Sequence, residues 1–202
     1  RTSLSLYSKP RKGGVFAMEI REGDQLIQAK ISNGQDSVIM ATKEGKSIRF
    51  EEEQVRPTGR RTKGVRGIKL SSVDEVIGML VVKREGTVLV ASENGYGKRS
   101  ELDEYRVQSR GGKGVYTMKK TSKTGELVSI METTEEDDLM IITNAGVMIR
   151  QKVASIRVIG RNTQGVKLLR LDDGSKISSV TKVINDDDAN DETETNQEED
   201  NE

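Results

Sequence analysis

The sequence predicts an all-β chain of propeller-like blades, each with four short antiparallel strands, on a repeat of about 50 residues. Three observations predict it. A Gly-Val pair returns at Gly14-Val15, Gly64-Val65, Gly114-Val115 and Gly165-Val166, at spacings of 50, 50 and 51. A turn glycine followed four residues on by arginine returns in step, at Gly45 and Arg49, Gly95 and Arg99, Gly146 and Arg150. Between these anchors, short runs rich in Val, Ile and Thr are punctuated by Gly, Asp and Asn. No stretch keeps a 3.6-residue period, so strands rather than helices are expected.

Within a unit the elements follow one order. Residues 15–20 match 65–70, 115–120 and 166–171, and each opens a unit's first run. The next run begins on an apolar pair at Leu26-Ile27, Val76-Ile77 and Leu127-Val128, with Ile177-Ser178 in the same phase. A third run covers 37–42, 87–92 and 139–143, followed by a tight turn and a fourth run that starts at Lys46 in the first copy. Asn94-Gly95 is a strong hairpin dipeptide, because a type I′ turn needs positive φ at both central positions. Four such strands per period describe a propeller blade. The units are about 1–50, 51–100, 101–150 and 151–184, which makes about four blades. Arg1 falls in the phase of Arg49, so the chain is expected to begin inside a unit, as part of a longer protein. The stretch from Arg1 to Gly14 is two residues shorter than its copies.

Composition narrows the function. The 202 residues include no Cys and no His, which excludes a disulfide scaffold, thiolate chemistry, a Ser-His-Asp triad and most zinc sites. No catalytic, metal or cofactor site is expected. Aromatics make up 3% of the chain and Trp is missing, so the core must come from Val, Ile, Leu and Met. No apolar run approaches the 18 residues of a membrane span and Arg1 opens no signal peptide, which points to no membrane partner and an intracellular setting.

The formal net charge of zero averages two opposite regions. Residues 185–202 hold ten Asp or Glu and no Lys or Arg, so the remaining 23 acids face all 33 bases, a net charge of +10. An acidic tail with almost no apolar residues is expected to be disordered, because it cannot offset its ordering entropy. The body is basic, and its cations recur before and just after each Gly-Val anchor. They are Lys9, Arg11 and Lys12; Arg56, Arg60, Arg61, Lys63 and Arg66; Arg106, Arg110 and Lys113; and Arg157, Arg161 and Lys167. Equivalent loops of a propeller share one rim, so these clusters are expected to form a positive belt suited to a long, bent polyanion such as duplex DNA. Few aromatics argue against single strands, which need stacking faces. The competing reading is a merely solvated surface. Gly14, Gly64, Gly114 and Gly165 are expected to serve strand entry, with the Arg and Lys beside them making the contacts. Tyr105 and Tyr116 are expected to be core or blade-packing residues rather than stacking platforms.

The period, the stretches V-R-P-T-G-R-R-T-K-G-V-R-G-I-K-L, E-N-G-Y-G-K-R-S and I-G-R-N-T-Q-G-V-K-L-L-R-L, and the acidic tail closely resemble the C-terminal domain of the bacterial DNA gyrase A-type subunit. The resemblance covers residues 1–184. It implies a β-pinwheel, a six-bladed propeller-like disc whose blades exchange strands and whose positive outer rim bends DNA, supporting negative supercoiling by a type IIA topoisomerase. The family's signature Q-[RK]-R-G-G-[RK]-G is matched at six of seven places by Gln108-Ser109-Arg110-Gly111-Gly112-Lys113-Gly114, with Ser109 in place of a cation. That departure marks a degenerate box of a late blade, with the full signature expected upstream. The resemblance further implies three partners: duplex DNA, the rest of the A-type subunit, and the ATP-binding B subunit. It places them in the bacterial cytoplasm, at the nucleoid. Of itself the chain is expected to bind and bend DNA without base specificity, neither cleaving it nor hydrolysing ATP. The rival readings are a protein-binding propeller and the corresponding domain of the topoisomerase IV A-type subunit.

Overall fold

The computed structural model describes residues 1–183; the acidic tail lies outside the described residues. Three tight hairpins organise the chain. β1 (Ser37–Thr42) turns into β2 (Lys46–Glu51), and β3 (Val76–Val82) follows a long loop. β4 (Thr87–Ser92) turns into β5 (Tyr96–Glu101), followed by the two-residue β6 (Val115–Tyr116) and by β7 (Leu127–Thr133). β8 (Asp138–Thr143) turns into β9 (Met148–Lys152), followed by the two-residue β10 (Val166–Lys167) and β11 (Ile177–Val183). Each hairpin turn ends on a glycine in the left-handed region, Gly45, Gly95 and Gly146 at φ 84°, 83° and 80°. That conformation costs a residue with a Cβ roughly 1–2 kcal/mol. Single-turn 3-10 helices follow β2, β5 and β9, and no α-helix occurs among the described residues.

The sheets do not coincide with the sequence period. Two four-stranded sheets run β3-β1-β2-β6 and β10-β5-β4-β7, and a three-stranded one runs β11-β8-β9. All pairings in these sheets are antiparallel. Each four-stranded sheet therefore takes its hairpin from one unit, its inner strand from the next and its outer strand from the one after that. The copies are in strict register: Lys46 faces Tyr116 and Ser47 faces Val115, just as Tyr96 faces Lys167 and Gly97 faces Val166. A bulge also recurs where the inner strand joins, at Ala41/Thr42 and Ala91/Ser92.

The strands expected at 15–20, 26–31 and 65–70 are not formed, and only the first two residues of 115–120 and of 166–171 pair as strands. A strand needs a neighbour for its N–H and C=O groups. In the four-stranded sheets that neighbour is a hairpin seated between inner and outer strands, and among the described residues none lies between 26–31 and 65–66. The apolar side chains of Phe16, Leu26, Ile31 and Val65 accordingly stand exposed.

The core lies between sheets rather than within one. β4 is buried along its whole length. Its alternate residues serve two layers: Val88 and Val90 pack with Ile39, Leu80, Tyr105 and Met118, while Leu89 and Ala91 pack with Leu139, Ile141, Ile156 and Val180. A strand covered on both faces reads as a continuous apolar run, which is why T-V-L-V-A-S shows no alternation. Tyr105 is buried in the first layer with its hydroxyl 2.6 Å from Thr117 Oγ1. Tyr116, expected to pack likewise, is instead 49% exposed, with Lys46 Nζ 5.6 Å from its ring centroid.

Candidate nucleic-acid interface

Inner strands β3 and β11 both contact β7, whereas β6 and β10 end their sheets on the opposite side. The basic loops before Gly14 and Gly64 lead to segments that join no sheet among the described residues, whereas those of the third and fourth units run into these outer strands and so occupy the outer edge. Their path is set by backbone bonds to the hairpin of the sheet they join. Gln108 N donates to Arg49 O at 2.8 Å and Ile159 N to Arg99 O at 2.9 Å, each beside a parallel bridge, Arg49 to Val107 and Arg99 to Val158. The loop then turns through Gly111, at φ 80°, whose N–H donates to Gly67 O at 2.7 Å. It enters the outer strand at Gly114, φ 70°. A Cβ there would lie 2.3 Å from Ser47 O, and one on Gly165 would lie 2.6 Å from Gly97 O. These glycines serve close backbone approach, as the strand-entry reading holds. At Gly64 and Gly14 a Cβ would meet nothing within 4 Å.

The fourteen candidate cations divide by phase. Arg60, Arg110 and Arg161 share one position of the repeat and all three are half-buried. Arg110 donates from its backbone N to Gln54 Oε1 (2.7 Å), from Nε to Gln54 O (3.2 Å) and from Nη1 to Arg66 O (2.5 Å). Arg161 repeats the pattern on Glu104 Oε2, Glu104 O and Tyr116 O. Arg60 instead stacks on Tyr7, with its guanidinium carbon 5.9 Å from the ring centroid. Arg110 and Arg161 are thus latches between successive units, and much of their hydrogen-bonding capacity is already spent. The other eleven are exposed: Lys9, Arg11, Lys12, Arg56, Arg61, Lys63, Arg66, Arg106, Lys113, Arg157 and Lys167. Of these, Lys63 pairs with Glu19 at 3.0 Å, and Arg61 and Lys167 lie over the rings of Phe16 and Tyr96. Arg61 has φ 63° at the position that Gly111 takes one unit later.

Two further sets of cations matter that the reading of the loops missed. Arg49 donates to Leu102 O and Tyr105 O, both at 3.3 Å, and Arg99 to Ile156 O at 2.8 Å and Glu135 Oε1 at 2.7 Å. At two of its three places the turn-arginine anchor is therefore a clamp onto the unit whose loop crosses its hairpin, whereas Arg150 pairs with Asp138 of its own hairpin, Nε to Oδ2 at 2.7 Å. Its recurrence after each turn glycine was the available signal. Lys98 is fully buried on β5 beneath the Ile159–Gly165 loop. It stands where the other hairpins carry Ile48 and Ile149, and that break in phase was legible.

Burial lowers the Lys98 pKa from the usual 10.5 to about 8, against the opposing pull of Glu104. Between pH 8 and 10 the unfolded chain then binds more protons than the folded one, so stability should rise with pH across that window. The gain is at most on the order of 2 kcal/mol, set by the size of the shift. Above pH 10 Tyr105, whose pKa burial raises, takes stability away again as its phenol ionises in the unfolded chain. Urea midpoints at pH 7.5 and 9.5 check this: the wild type should gain and Lys98→Met should not. Among the described residues no group of three His, Cys, Asp or Glu could hold a metal ion, and no helix is long and apolar enough to cross a membrane.

Comparison with known proteins bears on this edge. Residues 1–33, 36–83, 86–134 and 137–184 match the family described as DNA gyrase C-terminal domain, beta-propeller. Each of the last three segments opens one residue before a hairpin. The chain is 58% identical over 199 residues to the DNA gyrase A-type subunit of Halalkalibacterium halodurans, covering 98% of this chain and 24% of that protein. It is 38% identical over 183 residues to that of Salmonella typhimurium, covering 91% and 21%. The chain thus spans under a quarter of the length of these relatives. Among solved structures, a DNA gyrase A C-terminal domain aligns with a TM-score of 0.78 at 31% identity, covering 86% of this chain and 59% of that one. The C-terminal domain of a DNA topoisomerase IV aligns with a TM-score of 0.87 at 21% identity, covering 97% and 62%, a likeness of fold alone.

Proposed function

We propose, for a chain that belongs to the DNA gyrase C-terminal β-propeller family, that its outer edge binds and bends duplex DNA. The observation that carries this reading is the return of exposed Arg and Lys before the Gly-Val anchor in each unit, on loops that in the third and fourth units feed the outer edge. Attraction to phosphates is the favourable term, through counterion release. Bending a 20–30 bp site costs on the order of 1–6 kcal/mol, so contacts must be spread over several units, as these are. No base readout is expected. The described residues offer no α-helix for a major groove, and Arg and Lys on loops position a backbone rather than select bases.

In the longer protein, this edge would hold a DNA segment against the remainder of the gyrase A-type subunit, and so support negative supercoiling with the ATP-binding B subunit in the bacterial cytoplasm. A closed circular plasmid, incubated with the chain and a relaxing topoisomerase and then deproteinised, tests the reading. Trapped supercoils are expected, in number proportional to bound protein, and a fully relaxed plasmid would overturn it. A protein-binding propeller would also leave the plasmid relaxed.

The acidic tail supplies a second expectation. Ten carboxylates tethered to a body of net charge +10 compete with phosphate at high effective concentration. Deleting residues 185–202 should tighten binding to duplex severalfold at low salt and less at high salt. An unchanged dissociation constant in a fluorescence titration would rule that competition out.

A further inference from the structure

The two loops that feed outer strands β6 and β10 are built on one plan but closed by different means. In the third unit the loop passes over Ile48, which is fully buried, and is closed by its own backbone, with Gly112 N donating to Ser109 O at 3.3 Å. The Gly111-Gly112 pair permits that turn, Gly111 at φ 80°. The fourth unit has Asn162-Thr163 in the same places and so lacks both glycines. What it has instead is beneath it. Lys98, 0% exposed, sends Nζ to Gly160 O at 2.6 Å, to Thr163 Oγ1 at 3.1 Å and to Arg161 O. Thr163 Oγ1 in turn donates to Gly160 O at 2.9 Å, and Ser100 Oγ to Ile159 O at 2.8 Å. Three successive carbonyls of one loop are thereby held by two side chains of β5.

We propose that Lys98 is the positioning residue of the 159–165 loop: an internal ammonium that takes over the closing role of the glycine pair and so fixes where Arg157 and Lys167 meet the DNA backbone. The proposal rests on the DNA-binding reading of the outer edge and assigns Lys98 no phosphate contact of its own. Three features support an internal role. The side chain has no exposed surface. All three of its partners belong to a single loop. Its phase in the repeat is otherwise filled by isoleucine. Burial is the largest influence on its pKa; among charged groups Glu104 favours the ammonium and Arg161 opposes it, and burial with Arg161 outweighs Glu104 and leaves the pKa about 8. Loss of the proton leaves two N–H donors for three acceptors, so the loop should loosen as the pH rises through that value.

Lys98→Ile, which restores the residue of the other units, and Lys98→Met are the variants to make. Both keep an apolar stem under the loop, and neither leaves a buried charge. Wild-type binding to a long duplex is measured first; a chain with no duplex affinity overturns the reading of the outer edge before any substitution is made, and the proposal with it. Amide hydrogen exchange without DNA then reads the loop alone. Amides 160–165 should exchange about tenfold faster in both variants, with those of β4 unchanged. The same amides should titrate near pH 8 in the wild type by NMR and stay flat in Lys98→Met. Duplex affinity should fall severalfold at an unchanged slope of log K against log salt. Unchanged loop exchange, or a loosened loop with unchanged affinity, overturns the positioning role. A salt slope that falls by about one overturns it too, because that is the mark of a lost phosphate contact.

Discussion

Replacing Arg106, Lys113 and Arg157 together by Gln should weaken duplex binding by about 10²–10³-fold at 0.1 M salt, with little loss of stability. All three are exposed and make no ion pair or side-chain hydrogen bond among the described residues, so nothing folded is undone by their removal. If each neutralises one phosphate, each contributes about 0.9 to the slope of log K against log salt, and three contribute about 2.7. At 0.1 M that slope is itself 2–3 decades of affinity, fading as salt rises. Filter binding or anisotropy at four or five salt concentrations reads both quantities. A slope unchanged by the triple substitution would place the phosphates elsewhere. The decisive contrast is the pair Arg110→Gln and Arg161→Gln. Their guanidinium groups bond the carbonyls of Gln54 and Arg66, and of Glu104 and Tyr116. Removing a charged donor from such carbonyls costs about 1–3 kcal/mol of stability per site. These two should lower the melting temperature more than they lower the salt slope.

That division of the arginines was not legible in the sequence, and the reason is physical. A Lys or Arg at a repeated position shows that charge is wanted there; it does not show whether the N–H groups end on water, on phosphate or on a neighbouring carbonyl. Arg49, Arg99, Arg110 and Arg161 all turned inward, onto backbone carbonyls of another unit. The period, the three hairpins and the all-β class could be read because glycine turns and apolar runs are local signals. Strand exchange could not be read from the period. A signal with a 50-residue repeat is unchanged if every outer strand is moved to the sheet of an earlier copy, so β6 on β2 and β10 on β5 leave the same trace as strands kept at home. Lys98 is the opposite case. It breaks the period at one place, and there the structure carries something its copies lack.

Gly114→Ala should destabilise the chain by about 2–5 kcal/mol, whereas Gly64→Ala should cost only about 1–2 kcal/mol. The two glycines hold the same place in the repeat and nearly the same conformation, φ 70° and 74°. Either alanine therefore meets the same left-handed strain, roughly 1–2 kcal/mol. The difference is what a methyl touches. At Gly114 it would lie 2.3 Å from Ser47 O and 3.0 Å from Ser47 C, backbone atoms of β2 that cannot retreat without breaking the pairing with β6. Forcing such a contact adds about 1–3 kcal/mol. At Gly64 nothing lies within 4 Å, so no second cost arises. Gly165→Ala, with Gly97 O at 2.6 Å, should fall with Gly114→Ala. For a domain of this size each kcal/mol moves the melting temperature by about 2–4 °C, so calorimetry separates the two classes readily. The Gly-Val anchor that first revealed the repeat thus has two meanings: at Gly114 and Gly165 it is the contact by which one unit's strand closes another's sheet, and at Gly64 it is the same conformation with that contact unmade. Equal losses at Gly64 and Gly114 would show that strain, and not strand exchange, is what the repeated glycine serves.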